Sequence, residues 1–128
     1  KLLGTDVDII ILGGSHTPAE TLRTLNANLV VDMTSLVIMR QYGYPVIFDG
    51  THAVQQPSSL SGVTKGNRDM VPPLIRAALA VGVDGIFMEV HPNPDHAISD
   101  AANQIRLADI QQILEQAKAF DELAKRII

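Results

Sequence analysis

The chain has 128 residues, 46% of them hydrophobic, enough for one ordinary domain with a sizeable core. Its net charge of −4 argues against nucleic acid or an acidic membrane as partner, since either calls for a basic face. The absence of cysteine excludes disulfides and thiolate metal sites and favours a reducing compartment. No apolar run approaches the roughly 20 residues of a membrane span, and Lys1-Leu2-Leu3-Gly4 lacks a signal-peptide core, so the expectation is a soluble, cytoplasmic protein.

Val7 to Leu12 (VDIIIL) reads as a buried strand ended by Gly13-Gly14. Pro18 suits a first helical position, with a helix to about Leu25. Val30-Val31 reads as a short strand. Asp32 or Thr34 can cap a helix over Ser35 to Gln41, which Gly43 ends. Pro45 to Phe48 is the next strand, stopped by the breaker pair Asp49-Gly50. Ser58 to Asp69 is a long Ser/Gly loop carrying Lys65 and Arg68. A helix begins near Pro72 with Leu74, Ile75, Ala78 and Leu79 on one face, and Gly82 is its natural stop. The strand Gly85 to Val90 follows directly. A loop with two prolines leads to a long amphipathic helix from about Asp109, with Ile110, Ile113, Leu114, Ala117, Phe120, Leu123 and Ile127 on one stripe. Strand–loop–helix repetition implies an α/β fold, a parallel sheet with helices outside it, in a single domain over 1–128. Three or four strands are few for a closed barrel of eight.

Candidate chemistry gathers at the strand ends, where α/β folds bind ligands. His52 stands just past one strand, and Glu89 interrupts an otherwise apolar one, where an unpaired carboxylate is costly. With Asp100 they make one imidazole and two carboxylates, a set suited to Mn²⁺, Fe²⁺ or Zn²⁺. A lone strand-end histidine is otherwise a structural hydrogen-bonding group. Lys65 and Arg68 can grip a phosphate or stand as solvated charges. His16, His91 and His96 read most simply as loop histidines. There is no Walker loop, nucleophile elbow or dinucleotide fingerprint, hence no nucleotide cofactor.

These residues carry a resemblance. Asn28–Met33 (NLVVDM), Pro45–Pro57 (PVIFDGTHAVQQP), Ile75–Gln104 (IRAALAVGVDGIFMEVHPNPDHAISDAANQ) and the closing helix are similar to the 3-deoxy-D-manno-octulosonate 8-phosphate synthase family. The likeness is dense from about Asn28 onward, and residues 1–27 match poorly. It implies the last strands and helices of a (β/α)8 barrel, in a homotetramer. It also implies condensation of phosphoenolpyruvate with arabinose 5-phosphate, releasing phosphate, on the route to lipopolysaccharide. By motif, His52, Glu89 and Asp100 resemble the metal ligands. His52 and Gln55 resemble substrate-site catalytic residues. AISDAANQ resembles the metal-dependent branch of the family.

The chain departs from the family at defined points. The family barrel is about twice as long, in line with the roughly 250 residues a barrel needs. Its fourth metal ligand is a cysteine, absent here. Its earlier lysine pair and its phosphate-holding arginine have no counterpart, and its KSGGxR becomes VTKGNR at Val63–Arg68. Two alternatives to the synthase reading stay open. One is a non-catalytic fragment or subunit that keeps the packing and metal surfaces. The other is a related 3-deoxy-heptulosonate phosphate synthase. The 128-residue chain by itself is expected to be inactive and to self-associate.

Overall fold

The computed structural model describes residues 10–12, 31–56 and 65–127. His16, the helix expected from Pro18 and most of the Ser58–Asp69 loop lie outside the described residues. The elements are β1 (Ile10–Leu12), α1 (Met33–Arg40), β2 (Val46–Asp49), β3 (Gln55–Gln56), β4 (Lys65–Gly66) and α2 (Val71–Val81). They continue with β5 (Gly85–Phe87), β6 (Val90–His91), β7 (Ile105–Arg106) and α3 (Ile110–Ile127), with short 3₁₀ turns between several of them.

β1, β2 and β5 form a parallel sheet in that order, with Phe48 of β2 opposite Leu12 on one side and Ile86 on the other. A parallel strand covered on both faces has no polar side to show. That is why β2 reads as an unbroken apolar run: Val46 and Phe48 are both about fully buried, and Ile47 is half-buried. The expected α/β class and parallel pairing are therefore present. The sheet of three described strands is open, and a closed barrel is not among the described residues.

α2 crosses from β2 to β5 and lays Val71, Ile75, Ala78 and Leu79 on the core with Phe48. It ends at Gly82, whose φ of 97° lies in the left-handed region and whose N–H bonds the carbonyls of Ala78 and Leu79. Any side chain there is strained by roughly 1–2 kcal/mol. Gly82→Ala should thus lower unfolding free energy by about that amount with the denaturant m-value unchanged. α1 is capped by Asp32, which accepts from the Thr34 N–H at 2.9 Å, so the helix starts at Met33, earlier than expected.

Four local expectations are corrected. Val31 is not in a strand. The strand expected over Gly85–Val90 breaks after Phe87; Val90-His91 pairs instead with Ile105-Arg106, a strand not foreseen. Lys65-Gly66, read as loop, pairs antiparallel with Gln55-Gln56. On α3 the buried side is Ile113, Ala117 and Ala124, while Leu114, Phe120, Leu123 and Ile127 are exposed. The packed stripe follows the line that meets α2, narrower than the apolar content suggests.

Candidate functional site

Parallel pairing brings the C-terminal ends of β2 and β5 side by side, and the Gly50 N–H extends the ladder to the Phe87 carbonyl. The chain past each end supplies the site. After β2 it turns sharply because Asp49 folds over its own backbone: Oδ1 accepts from Thr51 N, Thr51 Oγ1 and His52 N at 3.0–3.1 Å. The turn places His52 at the start of a 3₁₀ segment, with its ring stacked near Phe87 at 6.2 Å between centroids. After β5, the Glu89 N–H donates to Thr51 Oγ1 at 3.2 Å, which ties the two strand exits together.

His52, Glu89 and Asp100 converge. Each offers one donor atom, and these atoms lie within 4.8 Å of one another; no other such group of three or more occurs among the described residues. His52 Nε2 faces Glu89 Oε1 at 3.6 Å, too far for a hydrogen bond. Glu89 Oε2 is buried with no partner. Asp100 adopts a φ of 52°, strained for a residue with a side chain, and its Oδ1 accepts from Gln55 Nε2 at 2.6 Å. Gln55 is thereby part of the same cluster.

The imidazole is tuned in two directions. Burial, the largest influence, pulls its pKa down, but the Asp49 hydrogen bond and the charges of Asp49, Glu89 and Asp100 together raise it above the usual 6.5.

Lys65 and Arg68 are not among the converging donors. Arg68 Nη2 donates to the Ala101 carbonyl at 2.6 Å and to Asp95 Oδ1 at 3.2 Å, so its guanidinium braces the loop that carries Asp100. Lys65 is on β4, opposite Gln56. His91, expected in a loop, is in β6, where its Nδ1 accepts from the Asn93 N–H at 3.0 Å; His96 is exposed in a 3₁₀ turn, and neither joins the cluster.

Asp49 is the residue that sequence reasoning missed. It was read as half of a breaker pair, yet it is only 5% exposed and its Oδ2 contacts His52 Nδ1 at 2.6 Å. The signal was present as a carboxylate three residues before a histidine at a strand exit.

The family model described as the DAHP synthetase I family matches residues 14–126. Among curated proteins, a 2-dehydro-3-deoxyphosphooctonate aldolase of Magnetococcus marinus is 57% identical over 98 residues, 77% of this chain and 34% of that protein. Proteins of the same name from Legionella pneumophila (54% over 99 residues) and Fusobacterium nucleatum (53% over 100 residues) each have 36% of their length covered, against 77% and 78% of this chain. The chain spans about a third of the length of the curated relatives it matches.

Proposed function

The chain belongs to the DAHP synthetase I family, and on that ground we propose that the protein carrying it condenses phosphoenolpyruvate with arabinose 5-phosphate, consuming one water and forming the eight-carbon 3-deoxy-D-manno-octulosonate 8-phosphate and inorganic phosphate. The relatives' shared name supports the octulosonate product over the heptulosonate one. The observation that carries the reading is the convergence of His52, Glu89 and Asp100 at the ends of adjacent parallel strands. The proposal extends to a (β/α)8 barrel completed by sequence beyond this chain, to a homo-oligomer, and to the cytoplasm. No described helix is long and apolar enough to cross a membrane.

The three donors fit a divalent metal. They combine one imidazole nitrogen with two carboxylates, a set suited to Mn²⁺, Fe²⁺ or Zn²⁺, and the buried Glu89 Oε2 lacks the partner that burial demands. When bound, the metal would supply electrophilic activation of the sugar's aldehyde carbonyl. The protein's own part is to hold the donors before the metal arrives. Asp49 orients His52, the Thr51 hydroxyl joins the Asp49 turn to the Glu89 backbone, and Gln55 holds Asp100 at 2.6 Å. Gln55 also stands close enough to this cluster to contact substrate. We assign Arg68 to bracing the 95–101 loop, since its Nη2 is committed to Ala101 and Asp95, and leave the phosphate role to Lys65.

The test is release of inorganic phosphate when the purified full-length protein that carries this chain meets both substrates. Release that needs arabinose 5-phosphate supports the reading. Release with erythrose 4-phosphate alone would give the related heptulosonate reaction instead, and none with either would overturn the synthase reading.

The raised pKa of His52 gives opposite pH trends for two measurements. Protons compete with metal for the imidazole, so metal affinity should fall as pH drops, and the fall should begin above pH 6.5 because the group holds its proton more tightly than a free imidazole. In the metal-free protein the sign reverses. A folded-state pKa above the unfolded one stabilises at pH below 6.5, and that contribution is lost as pH rises through the folded value. Calorimetric titration with Mn²⁺ and thermal melts of metal-free protein, both across this range, check the two trends. Trends of the same sign would show that His52 does not govern them.

A further inference from the structure

We propose that Asp49 is the positioning residue of the site, fixing which ring nitrogen of His52 carries the proton and so presenting Nε2 bare toward Glu89 and Asp100. The inference rests on the reading of His52 as a metal ligand. A neutral imidazole has one N–H and one lone pair. An ionised carboxylate only accepts, so Asp49 Oδ2, 2.6 Å from Nδ1, requires the proton on Nδ1. The lone pair is then on Nε2, the nitrogen that faces the other two donors.

Asp49 is equipped to impose this choice. Its backbone is in β2, opposite Phe87 of β5, and its side chain is buried. Its second oxygen, Oδ1, is pinned by Thr51 N, Thr51 Oγ1 and His52 N, so the carboxylate cannot turn away from the ring. The same Thr51 hydroxyl receives the Glu89 N–H. One buried carboxylate therefore sets the ring's tautomer and, through Thr51, the register of the neighbouring donor. Partners of this kind typically matter 10–100-fold in metal affinity although they never touch the ion.

Asp49→Asn isolates the effect. Asparagine keeps an oxygen for the three contacts at Oδ1 and replaces only the atom facing Nδ1 by a donor. That donor pairs with an unprotonated Nδ1, which moves the proton to Nε2 and blocks ligation. The experiment takes the protein carrying this chain, metal-free and labelled with ¹⁵N at histidine, at a pH where His52 is neutral. The tautomer is read by NMR, and Mn²⁺ alone is then titrated calorimetrically. We expect the Nδ1–H form in wild type, the Nε2–H form in Asp49→Asn, and about a 10–100-fold loss of Mn²⁺ affinity in the variant.

An Nε2–H tautomer in wild type overturns the inference, and needs no variant to fold. So does an Asp49→Asn protein with unchanged Mn²⁺ affinity where His52→Ala binds none, an outcome that leaves the ligand reading standing. Unchanged affinity in His52→Ala overturns the ligand reading and this inference with it.

Discussion

His52→Ala is expected to abolish divalent-metal binding and to reduce phosphate release to background, while His96→Ala leaves both unchanged. His52 supplies the only nitrogen among the three converging donors. Without it, two carboxylates face each other with no imidazole between them, and like charges brought together repel rather than organise a site. The variant also strips Asp49, 5% exposed, of its 2.6 Å partner, so a stability loss of about 1–3 kcal/mol should accompany the lost binding. His96 is exposed in its turn and belongs to neither the cluster nor its supports. Calorimetric titration with Mn²⁺ or Zn²⁺ on wild type and both variants decides the matter. If His52→Ala binds as tightly as wild type, the site assignment is wrong and His52 is a structural strand-end residue. If His96→Ala loses binding, the ligand set has been drawn on the wrong histidine.

The parts of this architecture that were legible in the sequence are those with a long physical signature. β2 announces itself as an apolar run because both its faces are covered, and α2 by its apolar face and its terminal glycine. His52, Glu89 and Asp100 were legible by type, but only the motif likeness joined residues separated by whole elements. What stayed hidden is short or made by backbone. The pairs β3–β4 and β6–β7 are two residues long, below any periodicity. The contacts of Arg68 were hidden because its partners are the carbonyl of Ala101 and an aspartate 27 positions away, and a carbonyl acceptor leaves no mark in sequence. Asp49 was masked by Gly50: the pair is a strong turn signal, which hides that the aspartate is still in the strand and aimed at a ring three residues on. The apolar stripe of α3 failed for another reason. Amphipathicity marks which side is apolar, whereas the line of contact with α2 decides how much of it these residues bury.

Phe48→Ala should cost about 3–5 kcal/mol of unfolding free energy, the largest single-residue loss in the described core. Phe48 is 1% exposed, the largest of the fully buried side chains among the described residues, and lies in the middle strand of the described parallel sheet. It packs in one cluster with Leu36 of α1 and with Val71, Ile75 and Ala78 of α2, so its ring joins the sheet to both helices. Truncation forfeits the transfer energy of the ring and opens a cavity that flanking strands, hydrogen-bonded on both sides, cannot collapse to fill. The site should feel this less than the fold does. Asp49 keeps its ladder partner Phe87 and its own hydrogen bonds, so metal affinity in the fraction that stays folded should change less than in Asp49→Asn. Denaturant unfolding of the two proteins, with Mn²⁺ titration under native conditions, separates these effects. A loss under about 1 kcal/mol would mean that Phe48 is not the keystone of this packing, because so small a cost is typical of surface positions. A metal affinity that falls as far as in Asp49→Asn would mean that the strand end is held by the core rather than by the Asp49–His52 contact.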